Sequence, residues 1–96
     1  HMIEIELNGK RMTSESAAME YLFDMFEFPE YYGDDLEALY DALADLTEET
    51  HVTIINRDIM NNTSFGQRLM WTFEDAASDN SQLSLAWTEE ENNEYE

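Results

Sequence analysis

Cysteine is absent from this chain, and basic residues are scarce. Without cysteine the chain has neither a disulfide framework nor a thiolate metal site, a composition that fits a reducing compartment. The 96 residues include 4 Lys plus Arg against 23 Asp plus Glu, so the formal net charge is -19. A field of this sign repels nucleic acid and anionic membranes and attracts basic partners.

Long apolar runs and glycine-rich loops are also missing. No stretch is long enough to cross a bilayer and no secretory leader is visible, so we expect a cytoplasmic protein. The three glycines, Gly9, Gly33 and Gly66, lie far apart, which excludes a phosphate-binding glycine loop. We interpret His1 and Met2 as a scar of recombinant expression.

What the chain does contain is enough apolar material for one small core. Its 5 Phe, 5 Tyr and 2 Trp, with Leu, Ile and Met in periodic order, favour folding over disorder. We predict a single domain over residues 3–88. Residues 89–96 form a block of acids without apolar periodicity, which predicts a flexible, solvated tail.

Three segments have the pattern of β-strands. Residues 3–7, IEIEL, alternate apolar and acidic side chains, as a strand with one buried face would. Residues 51–56, HVTIIN, form a β-branched run that suits a central strand buried on both faces. Residues 82–87, QLSLAW, predict the last strand.

Helical patterns lie between these strands. The first helix is expected to begin near Thr13, Ser14 or Ser16 and to end near Glu27, just before Pro29. The next is expected to begin at Asp34 or Asp35, with an apolar stripe at Leu36, Leu39, Leu43 and Leu46.

A further helix follows the polar residues 61–63. Ser64 is its expected N-cap, and its predicted core face consists of Phe65, Leu69, Met70, Phe73 and Ala76 or Ala77. Strands separated by helices indicate a small α/β layer of parallel strands.

The outward side of the second helix is acidic. It carries Glu37, Tyr40, Asp41 and Ala44, opposite the leucine stripe. The pairs Glu37–Asp41 and Asp41–Asp45 are like-charged and cost about 0.2–0.5 kcal/mol each. A solvated face and a binding surface for a basic partner both fit this pattern, and the amphipathic Tyr40 ring is of the kind enriched at interfaces.

Catalytic and metal chemistry have little support. Asp34, Asp35, Glu48 and Glu49 are weak candidates for a divalent ion, and we interpret them as solvated carboxylates. We interpret His51 as a packing or edge residue, because no Ser or Cys nucleophile arrangement is visible near it.

The acids of the second helix could also be read as an acid and base pair. Glu37 and Asp41 lie one turn apart, but on an exposed helix both would stay ionised, whereas such catalysis needs separated proton affinities. We therefore expect no enzyme activity, no metal and no cofactor.

The segment FPEYYGDDLEALYDALADL, residues 28–46, resembles the signature of the barstar family of intracellular ribonuclease inhibitors. The residues of this segment that match the family are Pro29, Glu30, Tyr31, Tyr32, Gly33, Leu36, Ala38, Leu39, Asp41, Ala42 and Leu43. Residues 73–76, FEDA, resemble part of a later helix of that family.

The resemblance implies a single barstar-like α/β domain, a three-stranded parallel sheet with helices packed on it. It also implies that the second helix and the loop before it block a ribonuclease active site. Asp41 would be the central carboxylate, Glu37 a second one, Tyr31 a ring against the catalytic histidine, and Asp75 a peripheral acid. The remaining contact positions would be Tyr32, Gly33, Tyr40, Ala44 and Asp45.

The implied partner is a basic ribonuclease or ribonuclease toxin domain, bound one to one by a chain that is monomeric when free. The implied role is that of an antitoxin or immunity protein that contacts neither nucleic acid nor membrane directly. Two alternatives stay open: an acidic nucleic-acid mimic that binds another basic or DNA-binding protein, and a small hydrolase using Glu37 and Asp41.

Several contact positions depart from the family pattern. Where this chain has Glu37, Tyr40 and Ala44, the family archetype has Asp, Trp and Thr. Where this chain has Asp45 and Leu46, the archetype has Gly and Trp. The fold and inhibitor class are therefore expected to carry over better than the identity of the target. The segment after the second strand looks short, which leaves open whether it forms the short helix that the family has there.

Overall fold

The computed structural model describes residues 2–88, in which strands and helices follow one another along the chain. Their bounds are β1 Ile3–Asn8, α1 Glu15–Phe26, α2 Leu36–Ala44, β2 Thr50–Ile55, α3 Arg57–Met60, α4 Ser64–Asp79 and β3 Leu83–Trp87. Two short 3-10 turns, Gly9–Arg11 and Glu30–Tyr32, precede α1 and α2. Residue 1 and the predicted tail, 89–96, lie outside the described residues.

The three strands form one parallel sheet in the order β1-β2-β3. Ile3 is aligned with Thr50, and Thr50 with Leu83, so the three strands begin side by side. This arrangement confirms the predicted fold class, a three-stranded parallel sheet with helices packed on it. It places residues 51–55 of the segment HVTIIN in the central strand, whereas Asn56 lies just after it.

Helices cover one face of the sheet. Leu7, Val52 and Ile54 are fully buried in the core that the helices share. On the other face Glu4 and Glu6 are exposed, and alternate residues of β2 are half-buried. The prediction that the central strand is buried on both faces is therefore wrong: the domain has two layers, and β-branched residues fill the half-buried face as well.

The leucine stripe of α2 is confirmed. Leu39 and Leu43 are 0% exposed, and Leu36 and Leu46 pack against the core from its edge. Two small residues of α2, Ala38 and Ala42, are also buried, although the predicted leucine stripe did not include them.

Helices α1 and α4 both begin after an extended N-cap residue, but of these two residues only that of α4 makes a side-chain capping hydrogen bond. Ser14 is the N-cap of α1, and its C-cap is Glu27, a residue in the left-handed region with φ 60°. Thr63, rather than the expected Ser64, caps α4, because its hydroxyl accepts a 2.9 Å hydrogen bond from the Gly66 amide. The predicted core residues of α4 that are buried are Phe65, Leu69, Met70, Phe73 and Ala76.

The segment after β2 contains one helical turn, α3, which answers the question left open by the sequence. Its last residue, Met60, is 0% exposed and belongs to the core. A Cβ at Gly66 would lie 2.0 Å from the Met60 carbonyl oxygen, so α4 passes this turn at a distance only glycine permits. Within residues 2–88 no helix has the length and hydropathy needed to cross a membrane.

Candidate functional site

The sequence-predicted site lies on a surface built from three elements. We call it the acidic surface, and it consists of the 3-10 turn Glu30–Tyr32 with Gly33, the outward side of α2 with Asp45, and the last turns of α4. α2 packs closely against α4. That packing places acids from two helices on one side of the molecule.

Asp35 fixes the start of α2. Its backbone is extended, and its carboxylate Oδ1 accepts a 2.8 Å hydrogen bond from the Ala38 amide. A carboxylate there satisfies an amide that has no partner within the helix, and it interacts favourably with the positive end of the helix dipole. Of the two capping residues that the sequence allowed, Asp35 is the N-cap.

The loop between α1 and α2 depends on Pro29 and Gly33. Pro29 has φ -66°, the value that its ring enforces, and it leads into the 3-10 turn. Gly33 ends that turn at φ 104°, and a Cβ at this position would lie 3.3 Å from the Ala38 Cβ. Glycine is therefore favoured both by its backbone conformation and by the space available.

Tyr32 connects this loop to the end of α2. Its hydroxyl donates a 2.7 Å hydrogen bond to the Asp45 carboxylate. This bond, with smaller effects of burial and of nearby negative charge, raises the pKa of Tyr32 to about 12. At neutral pH the phenol is therefore a proton donor, and it holds Asp45 in one orientation.

Tyr40 makes the equivalent connection from α2 to α4. Its hydroxyl donates a hydrogen bond to Asp79 in the last turn of α4. The hydrogen bond to Asp79 is the main cause of a raised pKa for Tyr40, and the charges of Asp79, Asp75 and Asp41 act in the same direction. Asp75 is thus close enough to Tyr40 to influence its ionisation, although 35 positions separate them in the sequence.

Asp41 is an exposed acid of α2 whose charge acts on both tyrosines. Its negative charge raises the pKa of both Tyr32 and Tyr40, so its carboxylate is within electrostatic range of both hydroxyls. Asp41 and Glu37 are exposed, one turn apart on α2. Asp41 and Glu37 are thus exposed carboxylates of the acidic surface, in addition to those that accept hydrogen bonds from the tyrosines.

Tyr31 projects from the edge of this surface. Its side chain is 83% exposed, and its ring is stacked on Tyr32 with centroids 5.0 Å apart. Tyr32 in turn contacts Phe28, whose ring is stacked on Phe26 at 4.9 Å. This series of rings connects the exposed Tyr31 to the end of α1.

Asn80, the residue that ends α4, holds the end of α2. Its side-chain amide donates hydrogen bonds to the carbonyl oxygens of Leu43, Ala44 and Leu46 at 3.0, 3.3 and 3.0 Å. Asn80 and Asp79 were not identified from the sequence. Neither forms part of a pattern, since their partners are 34 or more positions away and only the packing of α2 on α4 brings them together.

Most of the residues predicted from the sequence lie together on the acidic surface. Those placed within reach of one another by hydrogen bonds, ring stacking or charge effects are Tyr31, Tyr32, Tyr40, Asp41, Asp45 and Asp75. Gly33 supplies the turn beside them, and Glu37 lies one turn before Asp41. Ala44 is half-buried, and its backbone oxygen is one of the acceptors of Asn80.

The weak metal candidates do not form a ligand cluster. Across residues 2–88, no group of three or more His, Asp or Glu side chains is arranged to hold a metal ion. Asp35, one of those candidates, is already engaged as the N-cap of α2.

His51 has a neighbour that the sequence did not reveal. The Ser84 hydroxyl lies 2.8 Å from His51 Nδ1, because β2 and β3 are adjacent and these two residues are aligned. The sequence showed no Ser or Cys nucleophile arrangement near His51, and this serine comes close only across the sheet. The pair lies on the sheet face away from the helices, so it is not part of the acidic surface.

Comparison with known protein families gives one result that spans the chain. A family model described as "Barstar (barnase inhibitor)" matches residues 2–93 of the 96 residues. No curated protein matches the sequence.

Proposed function

The chain belongs to the barstar family, and we propose that it is a protein inhibitor of a basic ribonuclease. The observation that carries this proposal is the family match over residues 2–93, which contains the whole acidic surface. The acidic surface supplies the physical basis, because its charge and rings suit the active site of an enzyme that binds RNA.

Inhibition would follow from charge complementarity. A ribonuclease has to present Arg and Lys side chains to the RNA backbone, and carboxylates form strong, charge-assisted hydrogen bonds with the same groups. We propose that Asp41 and Glu37 take positions that phosphates would occupy. Asp75 and Asp45 extend the negative surface on either side, and Tyr31 supplies an exposed ring for contact.

The acidic surface is held in place before a partner binds. Tyr32 fixes Asp45, Tyr40 joins α2 to Asp79, and Asn80 holds the last carbonyl groups of α2. Fixed groups lose less conformational entropy on binding than mobile ones. The hydrogen bonds that connect these elements therefore favour tight association.

The surplus negative charge contributes in a second way. A net charge of -19 attracts a cationic enzyme over distances of about a Debye length, so association is expected to be fast at low salt. The like-charge repulsion along α2 is then relieved when ribonuclease cations lie against it.

In this proposal the protein has no catalytic role and binds one ribonuclease per chain. It acts as an antitoxin or immunity protein in the cytoplasm, where it protects the cell from a ribonuclease or ribonuclease toxin domain. It makes no direct contact with nucleic acid or membrane, and it needs no cofactor.

The test is an RNA-cleavage assay with barnase-type ribonucleases, including any encoded beside this gene. We expect inhibition that is complete at one inhibitor per enzyme and no RNA cleavage by the inhibitor alone. The departures at Glu37, Tyr40 and Ala44 predict that members of the panel differ in affinity.

The nucleic-acid mimic makes a different prediction in the same experiment. Tight binding to a DNA-binding protein, with every ribonuclease unaffected, would favour the mimic over the inhibitor. Turnover of any substrate that is lost in Glu37→Gln would instead support the hydrolase.

A further inference from the structure

A cleft of about 880 Å³ lies between α1 and the loop that leads into α2. Its volume is within the range of ligand pockets in proteins. Three of its lining side chains are apolar: Met19 and Phe23 from α1, and Phe28 from the loop. The rings of Phe23 and Phe28 are inclined at 75° with centroids 5.3 Å apart, so two rings share the apolar part of the cleft.

Carboxylates surround this apolar region. Five of the ten lining residues are acidic and none is basic. The acids are Glu15, Glu20, Glu30, Asp34 and Asp35. Asp35 is engaged as the N-cap of α2, whereas Glu20 is an exposed residue in the middle of α1.

Rings beside carboxylates favour one kind of cationic side chain. The guanidinium of arginine is planar and weakly hydrated, so it stacks on aromatic rings and still forms paired hydrogen bonds to a carboxylate. The ammonium of lysine is compact and strongly hydrated, and it gains less from an apolar wall. The composition of the cleft therefore matches arginine.

The cleft is continuous with the acidic surface. Gly33 and Glu30 line the cleft and also belong to the loop that carries Tyr31 and Tyr32. A protein bound on the acidic surface would thus have part of its own surface next to the opening of the cleft.

We propose that this cleft receives an arginine side chain of the basic partner, at a contact separate from the one centred on Asp41. This inference rests on the proposed function, since it takes the partner to be the ribonuclease. It assigns a binding role to α1, which otherwise packs against the core.

Two matched substitutions on α1 test the proposal. Glu20→Gln and Asp24→Asn remove the same charge from exposed residues one turn apart, but only Glu20 lines the cleft. For the ribonuclease that the parent protein inhibits, we expect Glu20→Gln to speed dissociation roughly threefold to tenfold and Asp24→Asn less than about twofold. Thermal unfolding of both free variants verifies that they remain folded.

The outcomes separate the two proposals. If the parent protein inhibits a ribonuclease and the two variants dissociate at equal rates, the cleft proposal is overturned while the proposed function stands. If the parent protein inhibits none of the ribonucleases, the proposed function fails first.

A second measurement needs no ribonuclease. Arginine amide and its uncharged analogue citrulline amide are titrated separately into the free protein, and backbone amide resonances are followed by NMR. We expect saturable shifts at Met19, Phe23 and Gly33 with arginine amide alone, and loss of these shifts in Glu20→Gln. Equal shifts with both compounds, or none with arginine amide, would overturn the assignment of the cleft to arginine.

Discussion

Helices α1 and α2 carry the same kind of charge in different settings. Each has exposed acids one turn apart, Glu20 and Asp24 on α1, Glu37 and Asp41 on α2, and neither contains a lysine or arginine. On α2 the acids lie beside tyrosines whose hydroxyl groups are fixed by carboxylates. On α1, Glu20 borders a cleft with aromatic rings, and Asp24 does not.

The two helices also end differently. α1 ends within its own segment: Glu27 adopts the left-handed conformation, and the Phe28 amide donates to the Phe23 carbonyl oxygen at 3.0 Å. The end of α2 depends on Asn80 from α4. The end of α2 therefore depends on a contact from another helix, whereas the end of α1 depends on its own segment.

The largest expected difference between the helices is in binding. Asp41→Ala would leave ribonuclease cations without a partner in the complex, at a cost of roughly 2–5 kcal/mol, a range that the barnase–barstar pair itself helped to establish. The loss should appear mainly as faster dissociation from the ribonuclease. Asp24→Ala makes the same change in charge on α1 and is the matched control.

Dissociation rates of the two variants decide this comparison. Equal effects would mean that net charge alone drives association, and the acidic surface would have no special role. A strongly destabilised Asp41→Ala protein would mean that the residue is structural.

A smaller effect is expected at the end of α2. Asn80→Ala removes a donor to three carbonyl oxygens, of which that of Leu43 also accepts from the Leu46 amide. Loss of these hydrogen bonds from partly buried acceptors should lower the free energy of unfolding by about 1–3 kcal/mol. Chemical denaturation measures the loss. Asn62→Ala, at an exposed turn residue, is the control, and an equal change in both variants would contradict the role of Asn80.

The third prediction concerns pH. The pKa of Tyr32 is raised from its ordinary value of 10.0 to about 12, so folding favours the protonated phenol. Stability from this bond is fully present below pH 10 and is lost as the pH rises towards 12. We expect Tyr32→Phe to lower the free energy of unfolding by less than about 1 kcal/mol at neutral pH, because the pair is exposed.

The difference in unfolding free energy between the parent and Tyr32→Phe should shrink at alkaline pH. Denaturant unfolding of both proteins at pH 8, 10 and 12 measures it, and the titration of other groups cancels in the difference. A difference that stays constant up to pH 12 would argue against the hydrogen bond to Asp45.

The smallest predicted effect is on the stability of the free protein, and it is expected to be the same for both helices. In the free protein Asp24→Ala and Asp41→Ala each remove like-charge neighbours and introduce the best helix former, so both should be stabilising by a few tenths of a kcal/mol. The gain should shrink when salt is raised from 0.01 to 0.1 M, as the Debye length falls from about 30 to about 10 Å. Thermal midpoints at the two salt concentrations test this, and destabilisation of either variant would contradict it.

Much of the fold could be predicted from local patterns. The stripe Leu36, Leu39, Leu43 and Leu46 gave the buried side of α2, since residues at helical spacing share one face. The three strand segments were placed correctly, because β-branched and alternating runs suit strands. The predicted burial of the central strand was wrong, because a run such as HVTIIN fits a strand with two buried faces and a strand with one half-buried face equally well.

Some residues of the candidate site could also be predicted from local patterns, and others could not. Glu37, Asp41 and Tyr40 were found because helical spacing puts them opposite the leucine stripe. Asp79 and Asn80 were not found, although they contact α2 directly, since nothing near them in the sequence points to partners 34 or more positions away. Ser84 was missed beside His51 for a related reason: the neighbour across a parallel sheet depends on strand order and register.

The excess of acid, the order of strands and helices, and the outward side of α2 follow from composition and from the spacing of neighbouring residues, so they can be predicted without a structure. Three other features are visible only in the folded protein: Tyr40 meets Asp79, Asn80 holds the end of α2, and a cleft opens beside α1. Such contacts join groups far apart in the chain, and they exist only once burial of the shared core has fixed how the helices pack.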